Sequence, residues 1–133
     1  ILLVGTDIQA YDVDTTKNDT VNTFTAAQIG SIETLTYAAS VEINMALSNK
    51  FDVTLTGDIT FSTPTNMVAG QGGLLYVIQD GTGGRTITWA TEFNFITEPD
   101  ETTDADILNI YAYEVLDANN ILMNHSGSVT LNV

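Results

Sequence analysis

Apolar and polar residues alternate across positions 51–61, and this period of two constrains the fold more than any other feature of the chain. Phe51, Val53, Leu55, Ile59 and Phe61 are apolar, whereas Asp52, Thr54, Thr56, Asp58 and Thr60 are polar. Successive side chains of a strand point to opposite faces, so the pattern predicts extended chain with one buried and one wet side. Gly57-Asp58 interrupts it and fits a tight turn or a kink. The same alternation comes earlier, with Val41, Ile43, Met45 and Leu47 on one face and Glu42, Asn44 and Ser48 on the other. Threonine and other β-branched residues recur throughout and suit pleated sheet better than helix.

Leu74-Leu75-Tyr76-Val77-Ile78 does not alternate, which predicts a central strand with both faces buried. Asp80-Gly81-Thr82-Gly83-Gly84 then predicts a turn, its glycines free to take positive φ. Thr86-Ile87-Thr88-Trp89 is expected to return as the hairpin partner. Further strands are expected over 107–116, over 121–123 after the turn Asp117-Ala118-Asn119-Asn120, and over 129–133. Helix is expected only as one turn at Phe24-Thr25-Ala26-Ala27-Gln28, stopped by Gly30. No internal repeat points to a solenoid. Roughly eight to ten short strands divided by turn residues predict an all-β fold, a sandwich, jelly roll or compact barrel, of which an antiparallel, jelly-roll-like β-sandwich is the expected form.

The first thirty residues behave differently, since the polar tract over 15–23 has no periodicity. The expected organisation is an extended N-terminal arm over 1–30, carrying the helical turn, and a β-sandwich domain over 31–133. Such an arm needs another surface to lie on, and a neighbouring subunit would supply one. The chain opens Ile-Leu-Leu-Val without methionine, as a trimmed chain or a segment of a longer one would.

Charge narrows the function. The chain has 17 acidic and three basic residues, a formal net charge of −14. A nucleic-acid binder needs Lys and Arg to displace counterions, and docking on an anionic leaflet needs them too. Only Lys17, Lys50 and Arg85 are available. A hydrophobic content of 44% and a mean hydropathy of +0.12 favour a packed core over disorder. Without cysteine there are no disulfides, thiolate zinc sites or Cys nucleophile. No apolar run approaches the ~18 residues of a membrane span.

No catalytic constellation emerges. His125-Ser126 is the only His–Ser neighbourhood, it lacks a Gly-x-Ser-x-Gly elbow, and adjacent strand residues point apart. His125 is expected at an edge or on the surface. No cofactor is expected, and a single His argues against imidazole ligation of a metal. Calcium takes oxygen ligands, and the candidates for it are Asp100, Glu101, Asp104 and Asp106, with Glu98 beside them. Asp12-x-Asp14 superficially opens like an EF-hand loop, but Lys17 and Thr23 stand where Gly and Glu are needed. The glycines over 81–84 precede a strand instead of a helix, so they read as a turn, not a phosphate cradle, with Arg85 paired to Asp80 or Glu92. Trp89 is expected in the core. Tyr111 and Tyr113 share a strand face that is either the second side of a core or a subunit contact. The candidate oligomer or attachment contacts are Ile8, Tyr11, Val13, Phe24, Tyr111 and Tyr113.

Five motifs occur in a telling order: Ile8-Gln9-Ala10-Tyr11-Asp12; Phe24-Thr25-Ala26-Ala27-Gln28; Phe51-Asp52-Val53-Thr54-Leu55-Thr56-Gly57-Asp58; Pro64-Thr65-Asn66 leading to Gly70-Gln71; and Gln79-Asp80-Gly81-Thr82-Gly83-Gly84-Arg85-Thr86. In that order the chain resembles a family of small β-domains of bacteriophage virion proteins, often found in tail fibres and other minor structural components. The resemblance implies a β-sandwich at the virion surface, commonly trimeric, and carries over no catalytic residue. The acidic stretch over 92–106 and the tail over 126–133 depart from the family pattern. The expected function is a non-enzymatic structural module of a phage particle, a homo-trimer of a tail fibre or similar appendage. Its expected partners are other virion proteins and a host-surface glycan, with no nucleic acid and no membrane insertion. The alternatives are a capsid decoration or head-fibre protein and, from another class, a carbohydrate-binding module of a secreted protein.

Overall fold

A computed structural model describes Ala27 and residues 29–132. Within them the chain is all β, with no helix. The strands are β1 (Ile32–Thr34), β2 (Ser40–Val41), β3 (Lys50–Leu55), β4 (Ile59–Phe61), β5 (Gly72–Gln79), β6 (Ile87–Trp89), β7 (Phe93–Phe95), β8 (Ile107–Asp117) and β9 (Asn120–Thr130). The expected N-terminal arm over 1–30 and its expected helical turn fall outside the described residues, except at Ala27, Ile29 and Gly30.

The connections differ from the expected jelly roll. A larger, six-stranded sheet has the order β1-β3-β5-β8-β9-β7, and a smaller, three-stranded sheet has the order β2-β4-β6. From β1 to β6 the chain alternates between the two, and each strand lies parallel to the one two elements earlier. Ile32 pairs with Lys50 and Lys50 with Leu74, steps of 18 and 24 positions, so the chain winds as a short solenoid of three unequal coils. Steps of 20 and 28 relate Ser40, Thr60 and Thr88 in the smaller sheet. Unequal coils leave no sequence repeat to detect, so the expectation of no solenoid is corrected here. The antiparallel sandwich is corrected with it. Period-two alternation is the same in parallel and antiparallel pairing, and only the crossover through the opposite sheet makes these pairs parallel. The expected hairpin of residues 74–78 with 86–89 is absent, because those segments become β5 and β6 in different sheets.

The final third is antiparallel. β8 pairs with β5 and then turns through Ala118-Asn119 into β9, which extends far beyond the short strand expected there. Asp117 holds this turn, its carboxylate accepting from the Asn119 amide at 2.8 Å and from Asn120 Nδ2. β7 adds to the far side of β9, in parallel. Of the strand expected over 129–133, Val129 and Thr130 are instead the end of β9.

Both sheets bury their inward residues in one core. Phe51, Val53, Leu55, Leu75, Val77, Tyr111, Val115, Ile121 and Met123 come from the larger sheet, and Val41, Ile59 and Phe61 from the smaller. Trp89 closes one side as expected, stacked on Phe61 at 4.7 Å and edge-on to Tyr111 at 5.0 Å. Val41, Ile43 and Met45 are buried, but Leu47 is 56% exposed because the chain turns away after Met45. Two buried amides replace missing strand neighbours. Gln79 accepts from Arg85 N and donates to Arg85 O, while Asn109 does the same with the backbone of Thr102. Polar fasteners also join the corners: Gln71 Nε2 donates to Met45 O at 2.7 Å, and Tyr113 Oη donates to Asn49 O at 2.9 Å. Gly73 permits the tightest approach, since a Cβ there would lie 1.6 Å from the Asn49 carbonyl oxygen.

Candidate binding face

The outward sides of the two sheets have opposite chemistry. On the smaller sheet Ser40, Thr60 and Thr88 stand in register, a row of hydroxyls. On the larger sheet β5 turns Leu74, Tyr76 and Ile78 outward, between the buried Leu75 and Val77. β8 adds Leu108, Ile110 and Ala112. Ile32 of β1 and Val129 of β9 extend this apolar band, 53% and 49% exposed respectively. The residues expected to make β5 buried on both faces therefore bury one face and half-expose the other. Lys50, Asp52 and Glu114 are the charges that strand alternation brings to this side of β3, β5 and β8.

A shallow hollow of about 410 Å³ lies in the band, lined by Ile32, Thr34, Asp52, Tyr76, Ile78, Leu108 and Leu131. Thr34 Oγ1 donates to Asp52 Oδ1 at 2.7 Å, so the hollow has a preset polar rim. A charge-poor apolar patch on a chain with a net charge of −14 is unusual, and such patches mark interaction sites.

Residues 37–116, which span β2 to β8, match the family described as "Putative phage tail fibre C-terminal domain". The chain belongs to this phage tail fibre family. No curated protein and no solved structure matches it. Family membership identifies a structural phage protein and places it on the virion, in company with other virion proteins.

In this tail fibre domain the residues singled out from the sequence are dispersed. Ile8, Tyr11, Val13 and Phe24 lie outside the described residues. Tyr111 and Tyr113, expected as core or as attachment contacts, are core: they are 0% and 8% exposed. Burial, reinforced at Tyr111 by the Glu101 carboxylate, pushes both phenols up, Tyr113 to about 12.

The acidic residues of the 98–106 loop are not brought together. Glu101 turns inward and accepts from Tyr111 Oη at 2.6 Å and from Trp89 Nε1 at 3.4 Å. Asp100 and Asp104 face solvent. Among the described residues no group of three or more His, Cys, Asp or Glu side chains is arranged to hold a metal ion. Arg85 pairs with Asp80 at 3.0 Å, one of its two expected partners. Its guanidinium, together with the amides of Gly83 and Thr82, holds the Asp80 carboxyl below the usual carboxylate range. Gly83 and Gly84 take the expected positive φ, 68° and 74°.

One cluster was invisible in the sequence. The register between β8 and β9 shifts where Ile110 pairs with Gly127 and Tyr111 with His125, leaving Ser126 as a bulge. The extra residue puts His125 and Ser128 on the same side, and both meet Asn109. Ser128 Oγ donates to Asn109 Oδ1 at 2.6 Å and lies 3.4 Å from His125 Nε2, which is itself 3.2 Å from Asn109 Oδ1. A hydrolytic triad needs the orienting group on the ring nitrogen opposite the nucleophile. Here Ser128 and Asn109 both sit at Nε2, so the cluster anchors the Thr102 loop and β9 to β8 and does not build a nucleophile.

Proposed function

We propose that this domain is a non-enzymatic packing module of a tail fibre that assembles as a homo-trimer through the outer face of its larger sheet. The carrying observation is the charge-poor apolar band of Ile32, Leu74, Tyr76, Ile78, Leu108 and Ile110. Copies with a net charge of −14 repel one another, so association must use a face with few charges and ample apolar area. The hydroxyl row on the smaller sheet then faces outward and stays wetted. Light scattering on the full chain tests this. The expected mass is three times the 14.3 kDa of one chain, and Ile78→Asp should return it to one. A wild-type chain that stays at the single-chain mass across micromolar to millimolar concentrations overturns the reading.

A second reading rests on the hollow around Tyr76. A half-exposed ring flanked by Asp52 and Thr34 offers a stacking platform with polar groups at its edge, which suits a sugar of a host-surface glycan. Glycan-array binding by single copies, abolished by Tyr76→Ala, would favour this reading over trimer packing.

A further inference from the structure

We propose that the ammonium of Lys50 enters a hollow over β8 and β9 of the next copy and pairs there with Glu114. This contact makes the trimer a head-to-tail ring whose axis runs along the strands. The inference rests on the trimer reading above and adds the residues that fix how its copies meet. The hollow lies on the outer face of the larger sheet and measures about 220 Å³. Ile96, Ala112 and Leu122 give it apolar walls, and Glu114 and Asn124 supply polar groups. Ile96 is 69% exposed, and Glu114 and Asn124 also face solvent. Such a lining fits a lysine, whose methylene stem packs along apolar surface while its ammonium donates to a carboxylate.

The occupant follows from charge and register. Of the two basic residues among the described ones, Arg85 pairs with Asp80 within the chain, and Lys50 stands half-buried on the outer face. Asp52, the next outward residue of β3, accepts from Thr34 in its own copy. Lys50 is in register with Leu74, Leu74 with Ala112 and Ala112 with Asn124, so one row crosses the sheet from the lysine to the hollow. Within one copy the ends of that row lie three strand spacings apart, about 14 Å. In the order β3-β5-β8-β9, the flanking strands β3 and β9 enclose a central pair that carries most of the apolar band. Rotation about an axis along the strands preserves height, so it sets β3 of one copy against β9 of the next in the same row. Glu114 is the next outward residue after Ala112 on β8, within reach of a long side chain. Like halves brought together would instead oppose Glu114 to Glu114 in a chain already at −14. Unlike surfaces that meet at every contact are what closes a cyclic ring.

Charge reversal on the full chain, read by light scattering, tests the pair. Lys50→Glu and Glu114→Lys should each raise the concentration of half-assembly by about tenfold or more, because like charges then meet at every contact. Net charge alone predicts the opposite for Glu114→Lys, which makes the chain less acidic and its copies less repulsive. Both changes in one chain should return the half-assembly concentration to within about threefold of the wild-type value, which also shows that the variant chains fold. Trimers that neither single variant weakens, or that the double variant does not restore, overturn the pair and leave the trimer standing. That is also the result expected if the hollow takes a lysine of another virion protein. A wild-type chain that keeps the single-chain mass overturns the trimer and this contact together.

Discussion

The strands β1 to β6 and the hairpin β8–β9 contribute to one core by opposite routes. The first set finds its partners 18 to 28 positions away, through crossovers that traverse the opposite sheet. The second meets across two residues held by one aspartate. The local pairing needs little chain closure and carries its own turn signal, whereas every pair of the stack depends on the coil before it. The hairpin joins the stack through the antiparallel ladder of β8 on β5, from Gly72 opposite Glu114 to Ile78 opposite Leu108, and through Tyr111 beneath Trp89 and Tyr113 on the Asn49 corner. The difference teaches that the stack supplies the register of the fold and the hairpin closes its end.

The largest effect should come from the shared core. Phe61→Ala removes a fully buried ring stacked on Trp89 and should cost about 3–5 kcal/mol in denaturant unfolding. If stack and hairpin form one cooperative unit, exchange protection in β8 and β9 falls together with that in β3 and β4. Retained protection in the hairpin alone would break the comparison by making it an independent unit.

Asn109→Ala should cost less, about 1–3 kcal/mol, because it strands the Thr102 backbone and removes the acceptor of Ser128. Its damage should fall on residues 101–106 and the end of β9, seen as faster proteolysis there with β3 and β5 still protected. Equal loosening of β3 would show that this anchor serves the stack as well.

The smallest effect is a pH slope. The folded state favours neutral Tyr113, whose phenol is raised from 10.0 to about 12. Its contribution is complete below pH 10, where the unfolded phenol is also neutral, and is lost as pH rises from there through about 12. Tyr113→Phe should flatten part of the slope between those pH values, the remainder belonging to Tyr111. An unchanged slope in that variant would mean that burial between hairpin and stack does not hold the Tyr113 phenol neutral.

Much of the fold was legible locally. The alternation from Phe51 correctly assigned the inner residues of β3 and β4, Gly57-Asp58 correctly marked a corner, and Asp117-Ala118-Asn119-Asn120 correctly marked a hairpin. The 80–84 segment was rightly read as a turn with positive-φ glycines and wrongly as the bend of a hairpin, because its chemistry reports only that the chain changes direction. The outer face of β5 was legible in composition but not in meaning. Leu74, Tyr76 and Ile78 predict burial on both sides, and the second cover is absent among the described residues. The Asn109–His125–Ser128 cluster was hidden by a bulge that shifts the alternation by one, which no local pattern around Ser126 announces.

By itself, then, the sequence determined that the described residues form an all-β fold, which side of most strands faces the core, and where the chain turns. These follow from steric and hydrophobic preferences acting over a few residues. Tertiary structure alone decided that the strands stack in parallel coils, that the larger sheet keeps an apolar outer face, and that His125 and Ser128 meet. A strand presents the same period of two to a parallel or an antiparallel neighbour, so the choice rests on contacts between residues 18 or more positions apart.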